Sequence, residues 1–402
     1  MIDFVILKLP TSHFISGWRH VRESWHLITF VRTEDSVYGV GEGTPYGTSI
    51  FEDYSTIVKL RKMIIGYSLD EALRALKEYE YRILSSTSRV AYGAFLSLES
   101  ALLDALAKRR KASIAHLLGG EYRDKVPVVG TVFLKHPFIM VEELNTWISK
   151  GVKHIKIKIP CNLDDLERTL RIIRDSLKET DITLRVDANQ CLENYDKAIK
   201  AFRIMERHSV DIVEQPLPKN ALKETAKLRK VFYPTIKIML DESLTRPQDI
   251  ELFAELEVAD IVNFHPSKFG SLSITRETML GSKKYGLETQ IGSSLFTEIG
   301  LIHYVNLATS MPELDYPLEE IGIYPFYGYS IYQEPITPKK GMIDAYKYKE
   351  IDLSKLTFAI LKSVSKHEFS LFNALYQAGK ACRSINFLNF LTSCTKKIIG
   401  VD

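Results

Sequence analysis

Cysteine is scarce in this chain: four among 402 residues (Cys161, Cys191, Cys382 and Cys394), none in CxxC spacing. That excludes a disulfide framework and points to free thiols in a reducing cytoplasm, the expected location. An excess of one charge is also missing. Lys and Arg number 53 against 50 Asp and Glu, leaving +3, and no basic stripe or RNA-binding motif is present, so nucleic acid is not an expected partner. No apolar run approaches the ~20 residues of a membrane span, so no membrane partner is expected either. The opening MIDFVILKLP has no basic region or small-residue cleavage site and does not read as a signal peptide. No GxGxxG follows the first strand of the alternating region, which counts against a dinucleotide-binding sheet. Low-complexity segments are absent, and no 20–50-residue repeat stands out beyond a βα period.

What remains is ordinary for a globular enzyme, 45% apolar and 26% charged, and long enough for two domains. Residues 2–9, 24–33 and 37–42 read as strands, with a hairpin turn at Glu34, Asp35 and Ser36. Residues 13–22 and the Gly-, Thr- and Pro-rich residues 39–49 read as loops. From 51 to about 110 the apolar spacing is helical, and Gly119 and Gly120 stop the region. Beyond Val126, strands and helices alternate through seven clear strands and a weak eighth near residues 316–320. Such alternation predicts a parallel sheet, and its length fits a closed barrel. Residues 340–402 carry too many apolar positions for a disordered tail; packing on the first domain or a subunit partner is expected.

The chemistry concentrates between Lys156 and Asp241. Three predicted strands end in carboxylates, Asp187, Glu214 and Asp241, at equal intervals along the chain. Upstream, Lys156 and Lys158 stand two apart on one strand, so both amines share a face. If the intervals are βα units, three acids and two lysines meet at one barrel mouth. Bare, the acids would repel; a hard divalent cation relieves that, and all-oxygen ligands suit Mg²⁺, with Mn²⁺ as an alternative. A cation beside a lysine suggests removal of the proton α to a substrate carboxylate through an enediolate, with Lys158 as base. A lysine base working beside Mg²⁺ is a known arrangement of one enzyme superfamily.

Lys156-Ile157-Lys158, Asp187-Ala188-Asn189, Glu214-Gln215-Pro216 and Asp241-Glu242-Ser243, in this order, resemble the KxK, DxN, EQP and DES motifs of the enolase superfamily, muconate-lactonising (mandelate racemase-like) subgroup. The likeness covers about residues 1–320. It implies a TIM-like (β/α)7β barrel (residues 123–325) under an α+β capping domain (1–122); from its own apolar positions the C-terminal segment (326–402) is expected to pack on the cap or a partner. It implies Asp187, Glu214 and Asp241 as metal ligands, Lys158 as base and Lys156 as its electrostatic modulator. It further implies a small carboxylate substrate, homo-oligomerisation, and cap loops closing over the substrate, with Trp18 and His20 among the contacts. Asn189, Ser293, Phe296 and Asp315 complete the expected substrate set.

Two departures bear on the reaction. His265 stands where the subgroup carries a lysine, with Lys268 at the second basic position; Phe296 stands where many relatives carry Glu. Glu313-Leu314-Asp315 is only a near match to the DxD of dipeptide epimerases. Histidine exchanges protons near neutral pH, so His265 is either the second acid/base or a group that positions substrate. The leading expectation is an isomerase: a racemase, epimerase or cycloisomerase. An o-succinylbenzoate synthase, which is a dehydratase, is the alternative, and a binding protein on a decayed catalytic scaffold a third.

Overall fold

The computed structural model describes residues 1–16, 19–85, 90–178, 180–320, 330–332, 334–348 and 351, with side chains 10–21 and 320 outside that description. The chain opens on a three-stranded antiparallel sheet, β1 (Ile2–Ser16), β2 (Arg19–Arg32) and β3 (Tyr38–Gly43), in the order β1-β2-β3. The predicted hairpin turn is present: Ser36 has φ +62°, and Thr33 N–H donates to Val37 O at 2.9 Å. The predicted loop at residues 13–22 is corrected. The ladder resumes past an irregularity, pairing Phe14 with Val21 and Ser16 with Arg19, because a shift between Pro10 and Phe14 re-registers the strands instead of ending them.

Helices α1 (Ile50–Ile64) and α3 (Tyr92–Arg110) pack on this sheet, α2 (Leu69–Leu84) packs on both of them, and the short α4 (Ile114–Leu118) follows beside α3. Ser49 and Ser68 open α1 and α2 with reciprocal capping boxes to Glu52 and Glu71. The other half of the predicted architecture follows: β4 (Lys125–Val132), α5 (Pro137–Ser149), β5 (His154–Lys158), α6 (Leu163–Ser176), β6 (Thr183–Asp187), α7 (Tyr195–Arg207) and β7 (Ile212–Glu214). It continues with α8 (Leu222–Phe232), β8 (Lys237–Leu240), α9 (Asp249–Glu255), β9 (Ile261–Phe264), α10 (Pro266–Phe269), α11 (Leu272–Ser282), β10 (Glu288–Ile291), α12 (Glu298–Ser310) and β11 (Leu318–Glu320). Strands β4 to β10 are parallel neighbours in chain order, and β11 pairs with β4. At the seam Gln290 Nε2 donates to Pro317 O at 2.8 Å. The result is the expected (β/α)7β barrel beneath an α+β cap. A further strand, β12 (Met342–Asp344), runs antiparallel to β4. The expected packing of residues 352–402 lies outside the described residues. Among the described residues no helix is long and apolar enough to cross a membrane.

Buried carboxylates join the layers by capping helices they do not belong to. Glu42 of β3 accepts from Thr297 N–H at 2.8 Å and Gly300 N–H at 2.8 Å, at the start of α12. Glu99 of α3 accepts from Leu272 N–H at 2.6 Å, at the start of α11. Asp53 of α1 accepts from Ala94 N–H at 3.0 Å, at the start of α3, whose own N-cap residue Ala91 offers no side-chain bond. Each acid answers donors that the first turn leaves unpaired.

Burial, with the neighbouring Glu52 charge adding to it, outweighs the bonds from Ala94 and Gly93 and pushes the Asp53 carboxyl up to about 7 from 3.8. A folded value above the unfolded one means that the folded state binds the extra proton. The contribution is therefore full below about pH 4 and lost as pH rises through about 7. Asp53→Asn removes this titration. The stability of the variant minus that of the wild type, from urea midpoints, is expected to grow by on the order of 3 kcal/mol between pH 4 and pH 8. A flat difference would place the proton elsewhere.

Candidate active site

Alternation along the barrel strands sorts their inward side chains into levels. Ile212, Met239 and Ile261 form a small apolar plug at the bottom, with Tyr316 packed against it. Two residues further along the same strands come Glu214, Asp241 and Asn263, and on β5 and β6 the pairs Lys156/Lys158 and Arg185/Asp187 follow the same step. The strands are in register there, Lys158 opposite Asp187 and Asp187 opposite Glu214. Thus the predicted carboxylates and lysines do meet at the C-terminal mouth, all buried.

Lys158 Nζ donates to Asp187 Oδ2 at 2.5 Å and Asn189 Oδ1 at 2.8 Å. Asn189 has φ +41°, a left-handed conformation that asparagine tolerates, and its N–H donates to Asp187 Oδ1 at 2.9 Å. Lys156 sits one level deeper. Its ammonium contacts Glu319 of β11 and lies 3.5 Å from Asp187 and 3.6 Å from Glu214. Burial works against its charge, and Glu214 and Glu319 outweigh it, so the amine is held protonated. Lys156 is thus a paired, buried cation one level below Lys158.

Beside it, Arg185 contacts Gln290 Oε1, with its guanidinium 3.3 Å from Glu214 and 3.4 Å from Glu319. Asn263 Nδ2 donates to Glu214 at 3.0 Å and Glu319 at 3.3 Å. Burial disfavours the Glu319 carboxylate, but Lys156 and Arg185 overcome this and hold its value at about 2. This lower network of Arg185, Asn263, Gln290 and Glu319 is absent from the sequence-predicted site. A signal for Arg185 existed: it stands two residues before Asp187, as Lys156 does before Lys158.

On the facing wall His265 Nε2 lies 3.0 Å from Asp241 Oδ1, yet neither ring nitrogen makes a hydrogen bond. A Cβ at Gly292 would overlap the ring, so glycine there makes the slot that the histidine fills. The ring of Tyr46, from the loop after β3, comes within 6.2 Å of His265, and Lys268 Nζ lies 5.3 Å from its centroid. Lys268 is buried, donating to both the backbone oxygen and the carboxylate of Asp241. Burial alone would raise Asp241, but Lys268 and His265 hold its carboxyl well below the usual range.

Among the described residues no three His, Cys, Asp or Glu side chains form a ready-made metal cage. The reason is visible: Asp187 is turned onto Lys158, and Asp241 onto Lys268. The donor chemistry nevertheless suits a hard cation. Glu214 Oε2 and Glu242 Oε2 are buried without hydrogen-bond partners. Burial and the Asp187 charge push Glu214 up to about 7; burial, Asp241 and Asp187 push Glu242 to about 8. Crowded carboxylates whose charges disfavour one another fit a divalent ion.

The remaining predicted contacts divide. Ser293, just past β10, is buried and bonds to Ser294 O at 3.0 Å. Phe296 turns into the core against Tyr304, ring centroids 4.5 Å apart, and not into the mouth. Asp315 is corrected: it precedes β11 and accepts from Thr289 N–H at 2.7 Å near the start of β10, at the opposite end of the barrel. Its carboxylate is spent on Lys283, and the nearby Glu313 is an exposed residue 3.8 Å from the same amine. Trp18 lies outside the described residues; His20 lies on β2, its side chain outside them.

Family models match both halves of the chain: the mandelate racemase/muconate lactonizing enzyme N-terminal domain over residues 3–119, and the enolase C-terminal domain-like family over residues 139–347. The chain is 23% identical over 299 residues to the N-succinyl-L-Arg/Lys racemase of Bacillus cereus, covering 74% of this chain and 80% of that protein. It is 31% identical over 220 residues to the o-succinylbenzoate synthase of Bacillus subtilis, covering 55% and 57%. The crystal structure of the muconate lactonizing enzyme from Pseudomonas fluorescens superposes with a TM-score of 0.78 at 23% identity, over 89% of this chain and 98% of that one. The proteins this chain resembles include a racemase, epimerases, cycloisomerases and a synthase. With a cap, a barrel and the motifs at its mouth all accounted for, the chain belongs to the mandelate racemase/muconate lactonizing enzyme family of the enolase superfamily.

Proposed function

We propose that this protein is a divalent-metal-dependent isomerase of a small carboxylate, removing the proton α to the carboxylate from one face and returning it on the other. One observation carries the reading. Lys158 ends β5 and His265 follows β9, four strands apart in an eight-strand ring, with the acids of β6, β7 and β8 on the arc between them.

Asp187, Glu214 and Asp241 would hold Mg²⁺ or Mn²⁺, which when bound supplies Lewis-acid charge for the substrate carboxylate. The rest is the work of side chains. Lys158 takes the α-proton at Nζ, aimed by Asn189. Lys156, pinned by Glu319, keeps positive charge beneath the position where negative charge develops. His265, its Nε2 3.0 Å from Asp241 Oδ1 and its Nδ1 without a hydrogen bond, would hold or return a proton in a slot beside Tyr46. N-acyl amino acids head the candidate substrates, since one relative acts on N-succinyl-Arg/Lys; dipeptides and cyclohexadiene acids follow.

The test is a screen of such acids in D₂O with Mg²⁺, followed by NMR, on the wild type and His265→Asn. Deuterium uptake by one enantiomer is expected to persist in the variant while racemisation falls about 10²- to 10³-fold. Undiminished racemisation would remove His265 from the reaction. A second reading, a dehydratase of the o-succinylbenzoate synthase type, is favoured by the histidine itself: it replaces a lysine, and that reaction needs a single base. Direct assay of that dehydration separates the two.

A further inference from the structure

Cys161 and Cys191 lie 30 residues apart in sequence and were expected to be free thiols. The fold brings them together. Cys161 is three residues past Lys158 at the end of β5, and Cys191 four past Asp187 at the end of β6, and those two strand ends are paired. The loops stay side by side beyond the ladder, where Ile159 N–H reaches Asp187 O at 3.4 Å. The second loop turns back at once: Asn189 and Gln190 have φ +41° and +70°, and Cys191 N–H donates to Ala188 O at 2.9 Å. Strand pairing and this turn thus place the two thiols as neighbours on adjacent loops, both reduced, Cys161 half-buried and Cys191 buried. Burial, with the neighbouring Cys161 sulfur adding to it, pushes the Cys191 thiol up. Neither sulfur contributes to the chemistry proposed for the mouth.

We infer that Cys161 and Cys191 form an oxidisable dithiol, a modification site whose disulfide staples the β5–α6 loop to the β6–α7 loop. The oxidant is of the hydroperoxide class. The more accessible Cys161 sulfur attacks one peroxide oxygen; an S–O bond forms, the O–O bond breaks, and the departing hydroxide takes the thiol proton as water. Cys191 then attacks the sulfenic sulfur; the S–S bond forms, the S–O bond breaks, and a second water leaves with the Cys191 proton. Two thiols have given two electrons to one peroxide, and a reducing dithiol reverses the change. The bond closes a loop of about 30 residues, enough to raise the thermal midpoint by about 5 °C.

The experiment uses the full chain carrying Cys382→Ser and Cys394→Ser, so that these two thiols alone remain. Hydrogen peroxide is expected to lower the intact mass by about 2 Da, to yield one peptide linking Cys161 to Cys191, and to abolish reaction with a thiol reagent until dithiothreitol is added. The oxidised form should unfold at the higher temperature, and amide exchange in residues 159–163 and 188–194 should slow. In a Cys191→Ser variant, oxygen should add at Cys161 with no loss of 2 Da. Over-oxidation of Cys161 with Cys191 still free in the parent protein would overturn the inference, as would two thiols unchanged by peroxide.

Discussion

Lys158→Met is expected to lower α-proton exchange with D₂O by about 10³-fold or more while leaving the fold intact. Methionine keeps the volume of the stem and removes only the amine. The loss is then chemical, because the partner left behind is not stranded: Asp187 keeps the Asn189 N–H at 2.9 Å and Lys156 at 3.5 Å. Lys156→Met provides the contrast. That amine serves Glu319, Glu214 and Asp187 at once, all buried, and removing it leaves like charges facing one another. A loss of about 3–5 kcal/mol of stability, what breaking a buried pair costs, should appear in urea unfolding of Lys156→Met and be largely absent from Lys158→Met. Exchange that survives in Lys158→Met, with circular dichroism unchanged, would take the base role away from this lysine and leave the binding-protein reading to be considered. If instead both variants unfold alike, the two lysines share a structural task and do not divide the labour between them.

The upper level of the site was legible because its chemistry sits on consecutive strands of one rhythm. Each acid ends a strand, each strand begins a βα unit, and period-two alternation puts Lys156 and Lys158 on one face. The lower level needed contacts that no local pattern reports. Glu319 lies on a three-residue strand too short for a periodic signal, and its partners Lys156 and Arg185 are on strands reached only by closing the barrel. Asp315 misled for the converse reason. Its spacing imitates a mouth motif, but the residue comes before its strand and not at the end of it, so closure carries it to the far rim. The cysteines show the same limit. Their separation along the chain conceals how near strand register brings them.

Glycine was the other misleading signal, and it carries the second large effect. Residues 39–49, rich in Gly, Thr and Pro, read as a loop overlapping the strand read at 37–42; Gly39, Gly41 and Gly43 all lie on β3, so the strand reading holds and the loop starts after Gly43. Two residues of strand advance about 6.8 Å and four residues of helix about 6.0 Å, so alternate strand positions can track every fourth helix position. They do so here: Gly43, Gly41 and Gly39 rest in turn on Gly93, Ser97 and Ala101, and Ala105 follows beside Gly39. A Cβ at Gly41 would overlap Ser97 O and Ala101 N, backbone atoms that cannot rotate away. Gly41→Ala must therefore push β3 off α3, and is expected to cost about 3 kcal/mol or more, a fall on the order of 5–10 °C in the thermal midpoint. Gly281 in α11 is the control, since a Cβ there meets nothing within 4 Å; Gly281→Ala should be neutral or stabilise by about 0.5–1 kcal/mol. The disturbance should also reach the mouth. Glu42, next to Gly41, caps α12, and the loop after β3 carries Tyr46 to His265. Among folded Gly41→Ala molecules substrate affinity should fall along with stability; a variant as stable as the wild type would show that the strand and helix have slack the packing does not reveal.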